Sequence, residues 1–277
     1  MTPTESRAAF LALHVPGRPL VMPNAWDGGS ARLLTSLGFQ ALGTTSAGYA
    51  FSRGRRDSFA ALCRDEILDN AAEIAGATTL PVSADTEDGF GPAPADCAET
   101  IVRAAERGLA GASIEDATGD PADPIHPFAR AVERIEAAAQ AARDSGIVLT
   151  ARAENFLWGR CDLADTIARL TAFADAGADV LYAPGLPDLE AIAQLCRAVG
   201  KPVNVVAGLS GPPVTVAQLA GAGVARISTG GSLARAAFGA LRRAAREIAD
   251  TGGFGYSADA IPDAELAALM SQEKRRP

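Results

Sequence analysis

Residues 147–154 read IVLTARAE, an apolar run that ends in the charged residues Arg152 and Glu154. A strand buried on both faces of a parallel sheet shows this continuous apolar pattern, and polar residues collect at the end that faces a ligand or solvent. Seven other runs share the pattern and alternate with helical segments along the chain: residues 20–26, 41–46, 81–87, 111–116, 180–185, 202–208 and 224–230. Eight alternating units predict a parallel sheet closed into a (β/α)8 (TIM) barrel, with an open doubly wound sheet as the alternative.

The segments between these runs carry apolar residues at helical spacing, as in residues 164–174, and several end in glycine just before the next run. Glycine is typical of the position after a helix, because it adopts the left-handed backbone conformation freely. We predict a further helix at residues 4–14 that caps the bottom of the barrel, and a long C-terminal helix at residues 232–252. Neither a linker nor a shift in composition divides the chain, so a single domain is expected over residues 1–277.

The composition limits the classes of partner. The net charge is −8 and the isoelectric point about 4.9, whereas nucleic acids and anionic membranes select basic surfaces. We find no apolar run of about 18 residues that would span a membrane, and no signal-peptide pattern in the first 14 residues. The four cysteines are widely spaced and only two histidines occur, which argues against a zinc site. A cytoplasmic protein without nucleic-acid or membrane partners is expected.

Acidic residues gather where the third and fourth runs end. Asp85 and Glu87 lie at the end of one run, on the same face of its strand, and Glu115 ends the next. The active site of a (β/α)8 barrel lies at these strand ends, and so many carboxylates repel each other unless a cation lies among them. Oxygen ligands of this kind suit Mg²⁺, or Mn²⁺. The alternative is that these acids cap helices or pair with arginines.

Six stretches of the chain resemble the isocitrate lyase / phosphoenolpyruvate mutase superfamily, and they occur in the order that the superfamily shows. They are PNAWDGGSARLL (23–34), GTTSAGYA (43–50), SADTEDGFG (83–91), SIEDATG (113–119), ARAEN (151–155) and VNVVAG (203–208). The resemblance covers essentially the whole chain. It implies a Mg²⁺-dependent enzyme that binds a small carboxylate substrate. It also implies a homotetramer in which the C-terminal helix is exchanged between neighbouring subunits.

The same resemblance assigns the metal ligands by position. Asp85 is expected to be the principal direct ligand of Mg²⁺. Glu87 stands where the superfamily often has a second Asp, and Glu115 joins it in holding the ion directly or through water. Asp57, in the loop after the second strand, is expected to reach the metal through water.

Substrate binding is implied at three further strand ends. The Ser46 side chain, with the backbone N–H groups of Ala47 and Gly48, is expected to bind the substrate carboxylate and the oxyanion. Arg152 is expected to clamp or polarise the substrate. Asn204 matches a polar site residue on the seventh predicted strand.

The chain departs from the best-known members of the superfamily in the loop after the fourth predicted strand. Isocitrate and methylisocitrate lyases carry a Lys-Lys-Cys-Gly-His loop there, but residues 117–126 read ATGDPADPIH. The loop has neither Lys nor Cys, which argues against cleavage by that mechanism and weakens a mutase assignment as well. His126 is either an acid or base near neutral pH or a solvated loop histidine.

The leading hypothesis is therefore a Mg²⁺-dependent carbon–carbon lyase or decarboxylase acting on a small α-keto or 2-hydroxy carboxylate through a metal-stabilised enolate. The alternatives are an enzyme that forms or cleaves a P–C bond, and a non-catalytic barrel that binds a carboxylate ligand. A Schiff-base aldolase is excluded, because it needs a lysine at a strand end. Of the two lysines, Lys201 precedes a strand and Lys274 lies in the C-terminal tail.

Overall fold

The computed structural model describes residues 3–58, 61–209 and 213–271. Its described strands form one sheet of nine parallel members in the order β1-β9-β8-β7-β6-β5-β4-β3-β2. The strands are β1 (Leu20–Met22), β2 (Asn24–Ala25), β3 (Leu42–Thr44), β4 (Val82–Asp85), β5 (Gly111–Glu115), β6 (Val148–Arg152), β7 (Val180–Tyr182), β8 (Val203–Val206) and β9 (Arg226–Ser228). Each lies within one of the eight predicted runs and is shorter than the run.

The sheet is closed through an interrupted first strand. β1 pairs with β9 and β2 pairs with β3, and only Pro23 separates β1 from β2. Proline has no N–H to donate, so the ladder breaks at this residue, while its carbonyl still accepts from the Gly43 N–H at 2.9 Å. The predicted strand at residues 20–26 is therefore one strand in two pieces. The eight-stranded barrel is confirmed, and the open sheet is excluded.

Helices lie between the strands, and local chemistry explains where they begin and end. Asp27 and Ser30 form a reciprocal capping box at the start of α2, and Gly146, with φ 73°, ends α6 in the left-handed region. The helices are α1 (Pro3–Leu11), α2 (Gly28–Ser36), α3 (Ser46–Ser52), α4 (Arg64–Ala77), α5 (Pro94–Glu106), α6 (Phe128–Ser145), α7 (Leu163–Asp175), α8 (Leu189–Ala198), α9 (Val216–Gly221), α10 (Ser232–Thr251) and α11 (Asp263–Met270), with a 3-10 helix at Gly255–Asp259.

Helix α1 caps the bottom of the barrel, as the sequence predicts, although it ends at Leu11. Phe10 is buried in a cluster with Leu20, Val148 and Val180, which lie at the N-terminal ends of their strands. Arg7 anchors the helix, since its Nε donates to the Ile147 carbonyl at 3.0 Å. This end of the barrel is thereby closed, and the opposite end remains open.

The C-terminal helix is confirmed as α10, followed by α11, which lies against α2. Most apolar side chains of this region are exposed: Leu241 is 63% exposed and Phe254 is 64% exposed. None of the described helices combines the length and the apolar character that crossing a membrane requires.

Candidate active site

The C-terminal ends of the strands open onto a cavity of about 1740 Å³. Concave sites at this end of a (β/α)8 barrel are where ligands bind. Most of the residues predicted for the site line the described part of the cavity: Ser46, Ala47, Asp57, Asp85, Glu87, Glu115, Arg152 and Asn204. Gly48 is the exception, because it is buried and lies outside the described lining.

The guanidinium of Arg152 lies among the acidic side chains at the mouth of the cavity. It contacts three carboxylates: Asp85 Oδ1 at 2.8 Å, Glu115 Oε2 at 3.0 Å and Glu154 Oε1 at 2.9 Å. Its carbon also lies 5.1 Å from the ring centroid of Tyr182. The side chain is only 14% exposed. Charge-assisted contacts of this kind fix the guanidinium and the acids in one arrangement.

The sheet register explains this convergence. Glu115, Arg152 and Tyr182 are Cα partners on three neighbouring strands. Arg152 and Glu154 are two residues apart, and side chains alternate along a strand, so both belong to the same face. A parallel ladder thus places an acid, a cation and an aromatic ring side by side at one level of the barrel.

Ser46 fixes the orientation of Asp85. Both the Ser46 backbone N–H, at 3.2 Å, and the Ser46 hydroxyl, at 3.0 Å, donate to Asp85 Oδ2. Since Arg152 binds the other oxygen, both carboxylate oxygens of Asp85 have partners in the protein. Ser46 itself is the first residue of α3, so the prediction that it ends a strand is wrong. Thr45 caps that helix by accepting from the Gly48 N–H at 3.2 Å. This N–H is one of the donors that were expected to bind the substrate.

The loop after β4 presents Glu87 to the cavity in a strained conformation. Its φ of 47° lies in the left-handed region, which few non-glycine residues adopt. The Glu115 N–H holds this turn by donating to the Glu87 carbonyl at 3.0 Å. Buried Arg134 on α6 donates to the carbonyls of Asp88 and Gly91 and ties the loop to the outer helices. Backbone contacts rather than sequence-local preference therefore place Glu87.

The acids around Arg152 outnumber the one cation among them. Burial, followed by the nearby charges of Asp85, Asp88 and Asp57, raises the pKa of Glu87 to about 8. Burial also raises the pKa of Glu115 well above its usual value, although the Arg152 charge opposes the rise. The pKa of Asp57 is raised by burial and then by Asp85. Such a group gains from a further cation.

The acids fit a hard divalent cation in chemistry, because all the donors are carboxylate oxygens. In the arrangement observed, the Arg152 guanidinium lies between Asp85 and Glu115. Among the described residues, no three Asp, Glu, His or Cys side chains are grouped closely enough to hold a metal ion as they stand. Asp85, Glu87 and Glu115 are the residues that would hold Mg²⁺, with Asp57 beside them.

Asn204 lies lower in the cavity, in a set of polar residues that includes two not predicted from the sequence. Its Oδ1 accepts from Arg226 Nε at 2.9 Å, and its Nδ2 donates to Ser228 Oγ at 3.0 Å. Arg226 and Ser228 line the same cavity. One signal was available for Arg226, since a charged residue in the middle of the apolar run 224–230 is unusual for a buried strand.

Glu154 and Tyr182 were also absent from the predicted site. Strand alternation from Arg152 identifies the face of Glu154. Tyr182 has no comparable sequence signal, because its place beside Arg152 depends on the pairing of β6 with β7.

The loop after β5 forms a short antiparallel bridge between Ala117 and Ile125, and its tip reaches the cavity through Gly119 and Pro121. His126 follows the bridge outside the described lining. Burial, followed by the charges of Arg134 and Arg130, lowers its pKa to about 4. His126 is therefore neutral at pH 7.

Neither lysine of the chain is among the described residues that line the cavity. Lys201 is exposed just before β8, at the bottom of the barrel. Lys274 lies outside the described residues. The exclusion of a lysine-based aldolase therefore stands for the part of the cavity that the structure describes.

The family model described as phosphoenolpyruvate phosphomutase matches residues 10–249 of the chain. Together with the closed barrel and the acidic cavity, this match defines the class: the chain belongs to the phosphoenolpyruvate mutase / isocitrate lyase superfamily.

Individual relatives agree with this class. A crystal structure of a lyase/mutase-type protein from Burkholderia cenocepacia is 52% identical, covers 99% of both chains and superposes with a TM-score of 0.94. An uncharacterized protein of Mycobacterium tuberculosis is 36% identical over 97% of this chain and 98% of its own length. The structure of 2,3-dimethylmalate lyase, named as a member of the same superfamily, is 29% identical with a TM-score of 0.83 and covers 96% of this chain and 95% of its own.

Proposed function

We propose that this protein is a Mg²⁺-dependent carbon–carbon lyase or decarboxylase that acts on a small α-keto or 2-hydroxy carboxylate. The observation that carries the proposal is the cluster of Arg152, Asp85, Glu115 and Glu154 at the mouth of the barrel. It combines a largely buried guanidinium with three carboxylates in a cavity large enough for a substrate. Superfamily members typically use Mg²⁺.

The residues of this chain divide the work between the ion and the substrate. Asp85, Glu87 and Glu115 would hold Mg²⁺, which when bound supplies positive charge to the keto and carboxylate oxygens of the substrate. Ser46 and the Ala47 N–H lie at the N-terminus of α3, where donors face an anion favourably. Arg152 is proposed to leave Asp85 when substrate binds and to stabilise the negative charge that develops during bond cleavage.

Two reactions suit this arrangement. In the first, the bond between the β-carbon and its carboxylate breaks in an oxaloacetate-like substrate. CO₂ leaves, the electron pair remains as an enolate of pyruvate, and water protonates the β-carbon. In the second, a base removes the 2-hydroxyl proton of a substituted malate and the C2–C3 bond breaks. The electron pair remains on C3, which then takes up a proton. Neither needs the thiol that the loop at residues 117–126 lacks.

Two alternatives remain in view. A P–C bond enzyme would use the same enolate, and the family description names a mutase of this kind. A non-catalytic barrel would bind a carboxylate without turnover. Two observations favour carbon–carbon cleavage. The chain is similar to 2,3-dimethylmalate lyase. The loop at residues 117–126 also lacks the Lys and Asn that the mutase-type members carry.

The test is incubation of the protein and Mg²⁺ with oxaloacetate, 2,3-dimethylmalate and phosphonopyruvate in separate reactions, followed by assays of pyruvate and phosphate. We expect pyruvate from a carbon substrate and loss of turnover in EDTA. Phosphate release from phosphonopyruvate would favour the P–C alternative. Binding of these acids without any product would favour the non-catalytic barrel.

We also propose a homotetramer with an exchanged C-terminal helix. The exposed apolar side chains of α10 and the residues after it support this proposal, since extended apolar surfaces mark interfaces. Light scattering with size separation is expected to give four times the monomer mass of 28.3 kDa. Leu241→Glu should lower that mass. Leu37→Glu is the control and should not lower it, because Leu37 is similarly exposed but follows α2, away from the C-terminal helix in sequence.

A further inference from the structure

Arg226 spans the interior of the barrel below Arg152. It lies on β9 and is only 3% exposed, and its guanidinium donates to Thr150 Oγ1 on β6 at 3.0 Å. Thr150 precedes Arg152 by two residues on the same strand. Because side chains alternate along a strand, Thr150 faces the same interior one level deeper. Arg226 therefore forms part of the floor of the cavity that Arg152 and its acids surround.

The partners of Arg226 carry no charge to balance it. They are the Asn204 amide oxygen, the Thr150 hydroxyl and His14 Nε2, which lies 3.4 Å from one terminal nitrogen. Burial and the nearby Arg226 charge lower the pKa of His14 to about 3, so this ring is neutral at pH 7. No ion pair to Arg226 occurs within the described ranges. A buried charge without a counter-ion is costly.

Arg226 also determines which end of the Asn204 amide faces the cavity. The amide oxygen is bound to Arg226, so the amide nitrogen is directed to Ser228 Oγ at 3.0 Å. An amide nitrogen has two hydrogens, and the Ser228 contact uses one. Asn204, Ser228 and Arg226 all line the cavity. The floor thus presents N–H and O–H donors beside a positive charge, while the upper wall presents carboxylates.

We propose that Arg226, Asn204 and Ser228 form an anion subsite on the cavity floor that takes a second carboxylate of the substrate. This inference rests on the proposed function and names the residues that hold the second carboxylate of its candidate substrates. A carboxylate at the floor supplies the counter-ion that the buried guanidinium lacks. A substrate with an alkyl group at that end leaves the cation uncompensated and binds more weakly.

The test compares two five-carbon keto acids that differ at one end. 2-Oxoglutarate has a second carboxylate where 2-oxopentanoate has a methyl group. Calorimetric titration of the full chain in Mg²⁺ should show 2-oxoglutarate binding about tenfold more tightly, the range expected for a hydrogen bond to a charged group. Arg226→Met, which is similar in length and neutral, should bring the ratio of the two dissociation constants close to one. Arg226→Lys should retain a clear preference for the diacid.

The control is Arg160→Met, which removes an equal charge from an exposed side chain outside the described lining. Its ratio should match that of the unaltered protein. Equal binding of both acids to the unaltered protein overturns the floor subsite and leaves the proposed function standing. A preference that survives in Arg226→Met also overturns it. Failure of both acids to bind contradicts the subsite and the proposed function together. If Arg226→Met does not fold, Ser228→Ala decides the matter: the preference should fall from about tenfold to about twofold, and an unchanged preference overturns the subsite.

Discussion

Two arginines with little solvent exposure lie at neighbouring levels of the same barrel and have opposite surroundings. Arg152, near the mouth, contacts three carboxylates. Arg226, on the floor, contacts an amide, a hydroxyl and a neutral imidazole. The same type of side chain is therefore surrounded by acids in one place and has no counter-ion among the described residues in the other.

The pKa values record this difference. Burial opposes the charge on both arginines, but the acids around Arg152 more than offset it and hold its pKa well above the usual value. For Arg226 burial prevails and lowers the pKa to about 10. Both remain charged at neutral pH. What differs is the ligand that the surroundings of each arginine can accept. The acids around Arg152, the upper group of the cavity, suit a cation, and the floor around Arg226 suits an anion.

The largest effect is expected at Arg152. Arg152→Met should lower kcat/KM by about 10²–10³, because it removes a donor to the negative charge formed in the reaction. The fold should survive, since the acids left behind can take up protons. Turnover and circular dichroism measured on the same sample check this. Near-normal turnover would show that Arg152 only pairs with the acids.

A smaller loss is expected when the upper group loses one acid. Asp85→Asn removes a charge from the proposed ion site but preserves size and hydrogen bonding, so we expect Mg²⁺ binding to weaken by at least about tenfold, the scale of removing one charged contact. Calorimetric titration with Mg²⁺ measures this. Asp144→Asn, on the outer helix α6, is the matched control. Equal affinity in the two variants would remove Asp85 from the metal site.

The buried ring of His14, which contacts Arg226, leads us to predict that the stability of the protein depends on pH. Because the folded-state pKa of His14 is lowered to about 3, the unfolded chain binds a proton below its ordinary value of 6.5 and the folded chain does not. Stability is therefore lost as pH falls from 6.5 towards 3. The loss should reach about 2 kcal/mol at pH 5 relative to pH 7.

Urea unfolding at the two pH values measures this loss, with His14→Gln as the control that cannot titrate. The unaltered protein should lose about 2 kcal/mol more than the variant between pH 7 and pH 5. An equal loss in both proteins would mean that His14 is accessible to protons in the folded state.

The smallest expected effect is at Ser228. Ser228→Ala removes the hydroxyl that accepts from Asn204, a contact worth about 1 kcal/mol. The affinity for 2-oxoglutarate should fall roughly fivefold, while Mg²⁺ binding should not change, since the acids of the upper group remain in place. A weakened Mg²⁺ affinity would mean that the two levels of the cavity are not separate.

The prediction from sequence succeeded where one run of residues carries the signal. The apolar run at 147–154 marks a buried strand, and its last charged residues mark the end that faces the cavity. Asp85, Glu115 and Arg152 line the cavity for this reason, whereas Glu87 reaches it from the turn after β4. The donor expected from Gly48 fared differently. Its N–H is bound to Thr45 because α3 begins one residue after that cap, and such a boundary depends on local hydrogen bonds that apolar patterning does not show.

The sequence alone determined the barrel, its acidic mouth and the superfamily, because strand and helix periods and the order of strand-end residues are properties of the chain read in one direction. Only the tertiary structure decided the partners of each charge. Arg152 meets Asp85 across 67 positions of sequence, and Arg226 meets His14 across 212. Such contacts follow from the closure of the sheet and from helix α1 at its base, and electrostatic energy depends on distance in space.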